Sequence, residues 1–254
     1  MKQRMQKLLM NLLLLSTVTV KAQDLLPIQT DRPDQTETPF LVPEGFFQIE
    51  SGFNYENTDV TTRTFVYPTI LAKYGVNDHF EWRLIFNYGS IEHSGARATG
   101  IDPIAVGFKA ALWEAKGIIP KASFIGHLNV PFLASKNFRG SFYATNFRFT
   151  LQHQITEKFT FSYNLGSEWD GLSAEPTFIY TFSGGYSFSP KLGCYVEVYG
   201  FTPQQHFPDH RADGGIMFVP GPDFQIDLSG GLGITPLNND YYYVSLGFSK
   251  RFHK

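Results

Sequence analysis

A chain of 254 residues with a formal net charge of −2 and one cysteine, Cys194, has no material for a disulfide framework or a thiolate metal site. Charged residues make up 17% of it and aromatics 16%, with 25 Phe and 13 Tyr; ordinary soluble domains carry roughly 25% charge. Mean hydropathy is −0.16, and beyond the first 22 residues no stretch is apolar for long enough to form a membrane helix, so any crossing of a bilayer must use strands.

The chain opens MKQRMQKLLMNLLLLSTVTVKAQ. Lys2, Arg4 and Lys7 form a basic region, Leu8 to Leu15 an apolar one, and Val20-Lys21-Ala22 a small-residue cleavage site. The apolar run falls short of the roughly 20 residues of a spanning helix, which predicts a secretory signal over 1–22, cleaved after Ala22, rather than an anchor. Removing Lys2, Arg4, Lys7 and Lys21 leaves 17 Lys and Arg against 23 Asp and Glu, a mature charge near −6. That balance argues against nucleic acid as a partner.

Residues 23–44 are polar and broken by Pro33, Pro39 and Pro43. From Gly45 the pattern changes to alternation: Phe47, Ile49, Phe53 and Tyr55 on one face, Gln48, Glu50, Gly52 and Asn54 on the other. The same period recurs down the chain. Phe65, Tyr67, Thr69 and Leu71 share a face; Phe80, Trp82, Leu84, Phe86 and Tyr88 oppose Glu81 and Arg83; Val106 and Phe108 oppose Lys109. Further on, Phe147, Phe149 and Leu151 oppose Asn146, Arg148 and Thr150, and Phe161, Tyr163 and Leu165 oppose Ser162, Asn164 and Glu168. Glu197, Asp213 and Asp227 fall on the polar face of later strands, and Tyr242, Val244, Leu246, Phe248 and Phe252 form an alternating last strand.

The count is about twelve strands, each of the roughly 9–11 tilted residues a bilayer requires. Alternation alone fits a soluble barrel with its faces exchanged. The connections separate the two. Tight ones (GVNDH, AKGIIP, ITEKF, FSPKL, VPGPD) alternate with longer ones (NTDVTT, GSIEHSGARATG, PFLASKNFRGS, EWDGLSAEP, TPQQHFPDHRA, TPLNND), the sorting of an outer-membrane barrel with short periplasmic turns and long external loops. The predicted fold is all-β: an antiparallel up-and-down transmembrane barrel over 45–254, behind a signal peptide (1–22) and an N-terminal periplasmic strap or plug (23–44).

The stretch TDRPDQTETPFLVPEGFFQIESGFNY resembles the opening of the outer-membrane family named "putative MetA-pathway of phenol degradation". Asp31, Arg32, Pro33, Asp34, Thr36 and Glu37 match its TDRPD-like start, Val42, Pro43 and Gly45 its turn, and Gln48, Glu50 and Gly52 its first strand. The resemblance implies a barrel channel or transporter, with aromatic-degradation clusters as the source of the name.

On that footing the expected function is passive passage of small molecules, hydrophobic or aromatic ones among them, across the outer membrane of a Gram-negative cell. The alternatives are an outer-membrane enzyme acting on lipids and a non-conducting anchoring barrel. No nucleophile elbow, phosphate loop or metalloprotease helix is present, so neither catalytic residues nor a cofactor is expected. Expected partners are outer-membrane lipid, small solutes and the outer-membrane assembly machinery, which reads a last strand of this type, although Lys250 interrupts its apolar face.

Candidate lumen residues are Glu50, Glu81, Arg83, Lys109, Arg148, Glu168, Glu197, Asp213 and Asp227, either a selectivity lining or structural ion pairs. Asp31, Arg32, Asp34 and Glu37 would place the strap in the wet periplasmic mouth, with Arg32 pairing an inward carboxylate such as Glu50 or Glu81; a disordered periplasmic tail is the alternative. His206, Asp209, His210 and Asp213 allow a loop metal site or simply solvated histidines.

Overall fold

A computed structural model describes residues 26–236 and 238–253; the expected signal peptide lies outside them. The strands are β1 (Phe47–Asn57), β2 (Thr62–Asn77), β3 (Phe80–His93), β4 (Ala96–Ile101), β5 (Ile104–Trp113), β6 (Lys121–Val130) and β7 (Ala144–Gln154). After them come β8 (Phe159–Trp169), β9 (Thr177–Ser189), β10 (Leu192–Pro203), β11 (Asp209–Gly221), β12 (Phe224–Gly233) and β13 (Tyr242–Phe252). Every neighbouring pair is antiparallel, and β1 closes on β13 from Phe47↔Phe252 to Asn57↔Tyr242. Closure removes the sheet edges that a bilayer cannot solvate.

Thirteen segments make twelve wall positions. The lower half of β3 pairs with β5 and its upper half with β4, so β4 and β5 are one strand interrupted at Asp102-Pro103. Pro103 has no N–H to give to the ladder.

The loop expected at GSIEHSGARATG is instead the tip of a hairpin, with β3 running on to His93 and β4 returning from Ala96. Ser94 (φ 50) and Gly95 (φ 84) make the turn, and both positions of the favoured two-residue hairpin turn call for positive φ.

The outer wall is apolar. Trp82, Leu84, Val106, Leu165, Val196 and Leu246 are exposed, while their strand neighbours Glu81, Arg83, Lys109, Asn164, Glu197 and Ser245 are buried inside. Charge inside and hydrocarbon outside is the reverse of a soluble barrel, and it suits a solvent that cannot hydrogen-bond.

One face assignment needs correction. Thr69 and Leu71 do not continue the outward row of Phe65, because the β2–β3 register shifts between Val66 and Thr69. Below the shift Tyr74 and Val76 are exposed and Lys73 is buried. An inserted residue reverses which parity points inward.

Candidate functional site

Residues 26–46 turn back into the barrel and bond to the wall from β1 round to β13. One anchor is Asp31. Lys73 of β2, Arg83 of β3 and Lys109 of β5 reach its carboxylate at 2.9, 2.8 and 2.8 Å. Burial alone would raise this acid, but Lys109, Lys73 and Arg83 outweigh it and hold the carboxyl well below the usual range. Glu50 accepts the backbone N–H groups of Asp31 (2.9 Å) and Arg32 (3.0 Å) and pairs with Lys73 at 2.5 Å. Glu81 accepts the Val42 N–H at 2.7 Å and pairs with Arg83 at 3.1 Å. Arg83 also holds Glu37 at 2.6 Å, and Lys109 donates to the Thr38 carbonyl at 2.8 Å.

The opposite wall holds the strap differently. Arg32 pairs with Asp227 of β12 at 2.9 Å and donates to Ser245 of β13 at 2.9 Å. It lies flat against Gly247, where a Cβ would come within 2.3 Å of the guanidinium. Glu197 of β10 accepts the Gln35 N–H at 2.8 Å and the Thr36 hydroxyl. Asn164 of β8 accepts the Glu37 N–H at 2.8 Å and donates to the Glu37 carbonyl at 3.0 Å. Ser183 of β9 donates to Asp34 at 3.1 Å, and Arg148 of β7 donates to the Gln35 carbonyl at 2.9 Å.

The strap residues Asp31, Arg32, Asp34 and Glu37 therefore all lie in the lumen, and Glu50, Glu81, Arg83, Lys109, Arg148, Glu197 and Asp227 all meet the strap. Arg32 does pair with an inward carboxylate, but with Asp227 in place of the expected Glu50 or Glu81. Those acids are already held by Lys73 and Arg83 and by backbone N–H groups, so the guanidinium turns to Asp227. Asp213 accepts from Tyr243 at 2.5 Å rather than from the strap. Glu168 sits next to the outer end of β8 and belongs to no ion pair among the described residues. His210 faces the Tyr180 hydroxyl at 2.7 Å rather than His206.

Two features escaped the sequence reading. Lys73 was hidden by the register shift in β2. The other is a row of buried tyrosines, Tyr195, Tyr199, Tyr241 and Tyr243, on the same strand face as Glu197 and Ser245. That shared parity was the available signal.

Two cavities flank the strap. The larger, about 730 Å3, opens toward the tight turns and is lined by Thr160, Ser162, Ser183 and Tyr195 with Lys158 and Lys191 at its mouth. The smaller, about 180 Å3, lies on the outer side against Asn54, Glu56, Tyr241 and Tyr243.

A closed twelve-strand barrel, apolar outside, charged within and crossed by its own N-terminal segment, is a transmembrane barrel of the outer-membrane type. The chain belongs to the family described as "Putative MetA-pathway of phenol degradation", whose model matches residues 30–252. Among solved structures it is similar to an outer-membrane channel from Pseudomonas putida F1, with TM-score 0.68 and 11% identity over 84% of this chain and 97% of that one. It is also similar to the KdgM porin in complex with disordered oligogalacturonate (TM-score 0.55, 9% identity, 80% of this chain and 99% of that one). A third is the CymD monoaromatic hydrocarbon channel (TM-score 0.50, 11% identity, 84% and 90%). At these identities the likeness is one of fold. No curated protein matches the sequence.

Proposed function

We propose that the protein is a passive outer-membrane channel for small solutes, with residues 26–46 as a built-in plug seated in its lumen. The observation that carries this is the strap itself: a hydrophilic segment, joined to the wall by ion pairs and main-chain hydrogen bonds, with cavities on both sides of it. A barrel that only anchored partners would have no use for a polar interior with separate inner and outer chambers.

Small hydrophobic or aromatic molecules are the proposed cargo, supported by the family's name and by the hydrocarbon channel among the similar folds. Catalysis is not part of the reading, which follows the channels and porins among the similar folds. Export with cleavage after Ala22, insertion by the outer-membrane assembly machinery and a surrounding lipid annulus complete it. The inward acids and bases act as a lining only where the strap leaves them free.

The test is single-channel conductance of the refolded mature protein with and without residues 23–43. Deletion is expected to enlarge the unitary step. A silent bilayer with both proteins would overturn the channel reading.

A further inference from the structure

The strap is not sealed evenly around its circumference. Toward β1–β5 every strap acid has a cation: Asp31 has three, and Glu37 has Arg83. Toward β9–β13 the acids outnumber the bases. Asp34 of the strap, Glu197 of β10 and Asp213 of β11 enter no ion pair among the described residues, and Arg32 is matched by Asp227. Arg148 reaches this stretch of strap but donates to a carbonyl.

Two further groups in the same region are incomplete. The Tyr195 hydroxyl, on a residue only 4% exposed, has no hydrogen-bond partner, and neither has Oδ1 of Asp213. A buried donor and a buried carboxylate oxygen left open are costly unless something visits them. Tyr195 and Tyr243 lie pressed along the wall because Gly215 and Gly231 beside them leave room for the rings; a Cβ at either glycine would fall 2.6 and 2.5 Å from ring carbons.

Both cavities end here. Arg32, Pro33 and Asp34 line the inner and the outer one alike, with Tyr195 on the inner side and Tyr243 on the outer. Three residues of strap are shared by the two chambers.

We infer that the solute path crosses the strap at Arg32–Asp34, off-centre along the β9–β13 wall, and that Asp34, Glu197 and Asp213 make this crossing selective for small cations, monovalent ions or protonated amines, over anions. The inference rests on the channel reading and adds to it a place and a charge class. Carboxylates without a cationic partner in a narrow, tyrosine-walled passage favour a passing cation twice. They supply its counter-charge, and the ring faces add cation–π attraction.

The experiment is the reversal potential of the mature protein in a planar bilayer under a KCl gradient, with Asp34→Asn, Asp213→Asn and the exposed-turn control Glu114→Gln. The expected result is a several-fold K+ preference that falls toward unity in either Asn variant and is unchanged in the control. Asp34 lies on the strap, so its variant tests the point even if Asp213→Asn fails to fold. Conduction with anion preference, or with a preference that neither Asn variant moves, overturns this inference and leaves the channel reading standing. Silence in every protein overturns both.

Discussion

Asp31 is the residue on which the strap's seating turns. Three cations from three strands converge on one carboxylate, and removing one partner of a buried ionic cluster costs on the order of 3 kcal/mol. Asp31→Asn is therefore expected to unseat the strap and raise open probability, with the barrel itself intact by its heat-modifiable migration in SDS gels. Unaltered gating in a folded variant would show that Glu50 and the backbone contacts suffice. Gly247→Ala reaches the same end by crowding, since its methyl would occupy the Arg32 guanidinium's place; strap accessibility to protease should rise in it and in Arg32→Ala alike. Asp34 supplies a pH dependence. Burial and then the Asp213 charge raise its pKa from 3.8 to about 8, with Glu197 and Tyr195 close by on β10 and Ser183 donating from β9. With no cation in the crossing, the seated strap holds a proton that a released strap gives up, so seating weakens as pH rises from about 4 to about 8. Open probability should climb across that window, and Asp34→Asn should flatten the climb.

At the scale of elements, period two found the strands wherever the ladder is regular. β3, β7, β8 and β13 alternate apolar and polar residues along most of their length, and their faces agree with expectation. β2 departs from it because the chain takes an extra step near Pro68, and one step was enough to turn Lys73 from lipid to lumen. Alternation carries no mark of such a shift. The β3–β4 hairpin was read as a loop because its outer half is mixed in character, and only the Ser94-Gly95 turn betrays it. The wall below is built by the pairing of Phe80–Ile85 with Ala105–Ala110. Replacing Ile91–Thr99 by a short turn should accordingly leave refolding yield and unitary conductance unchanged. A loss of either would mean that the hairpin supports the barrel mouth.

For the whole molecule, the barrel was legible from turn lengths and faces, and the occupancy of its lumen was legible only in outline. Asp31, Arg32, Asp34 and Glu37 announced a polar segment suited to a wet interior. Which wall each would choose depends on register around a closed ring, and that is why Arg32 was matched to the wrong acid. The strap precedes every strand in the chain, yet its bonds reach β7, β8, β9, β10, β12 and β13, and the ring shuts only when β13 meets β1. It must wait for the last of those strands before its site is complete. On the channel reading, a newly shut barrel is expected to leak until its strap is seated.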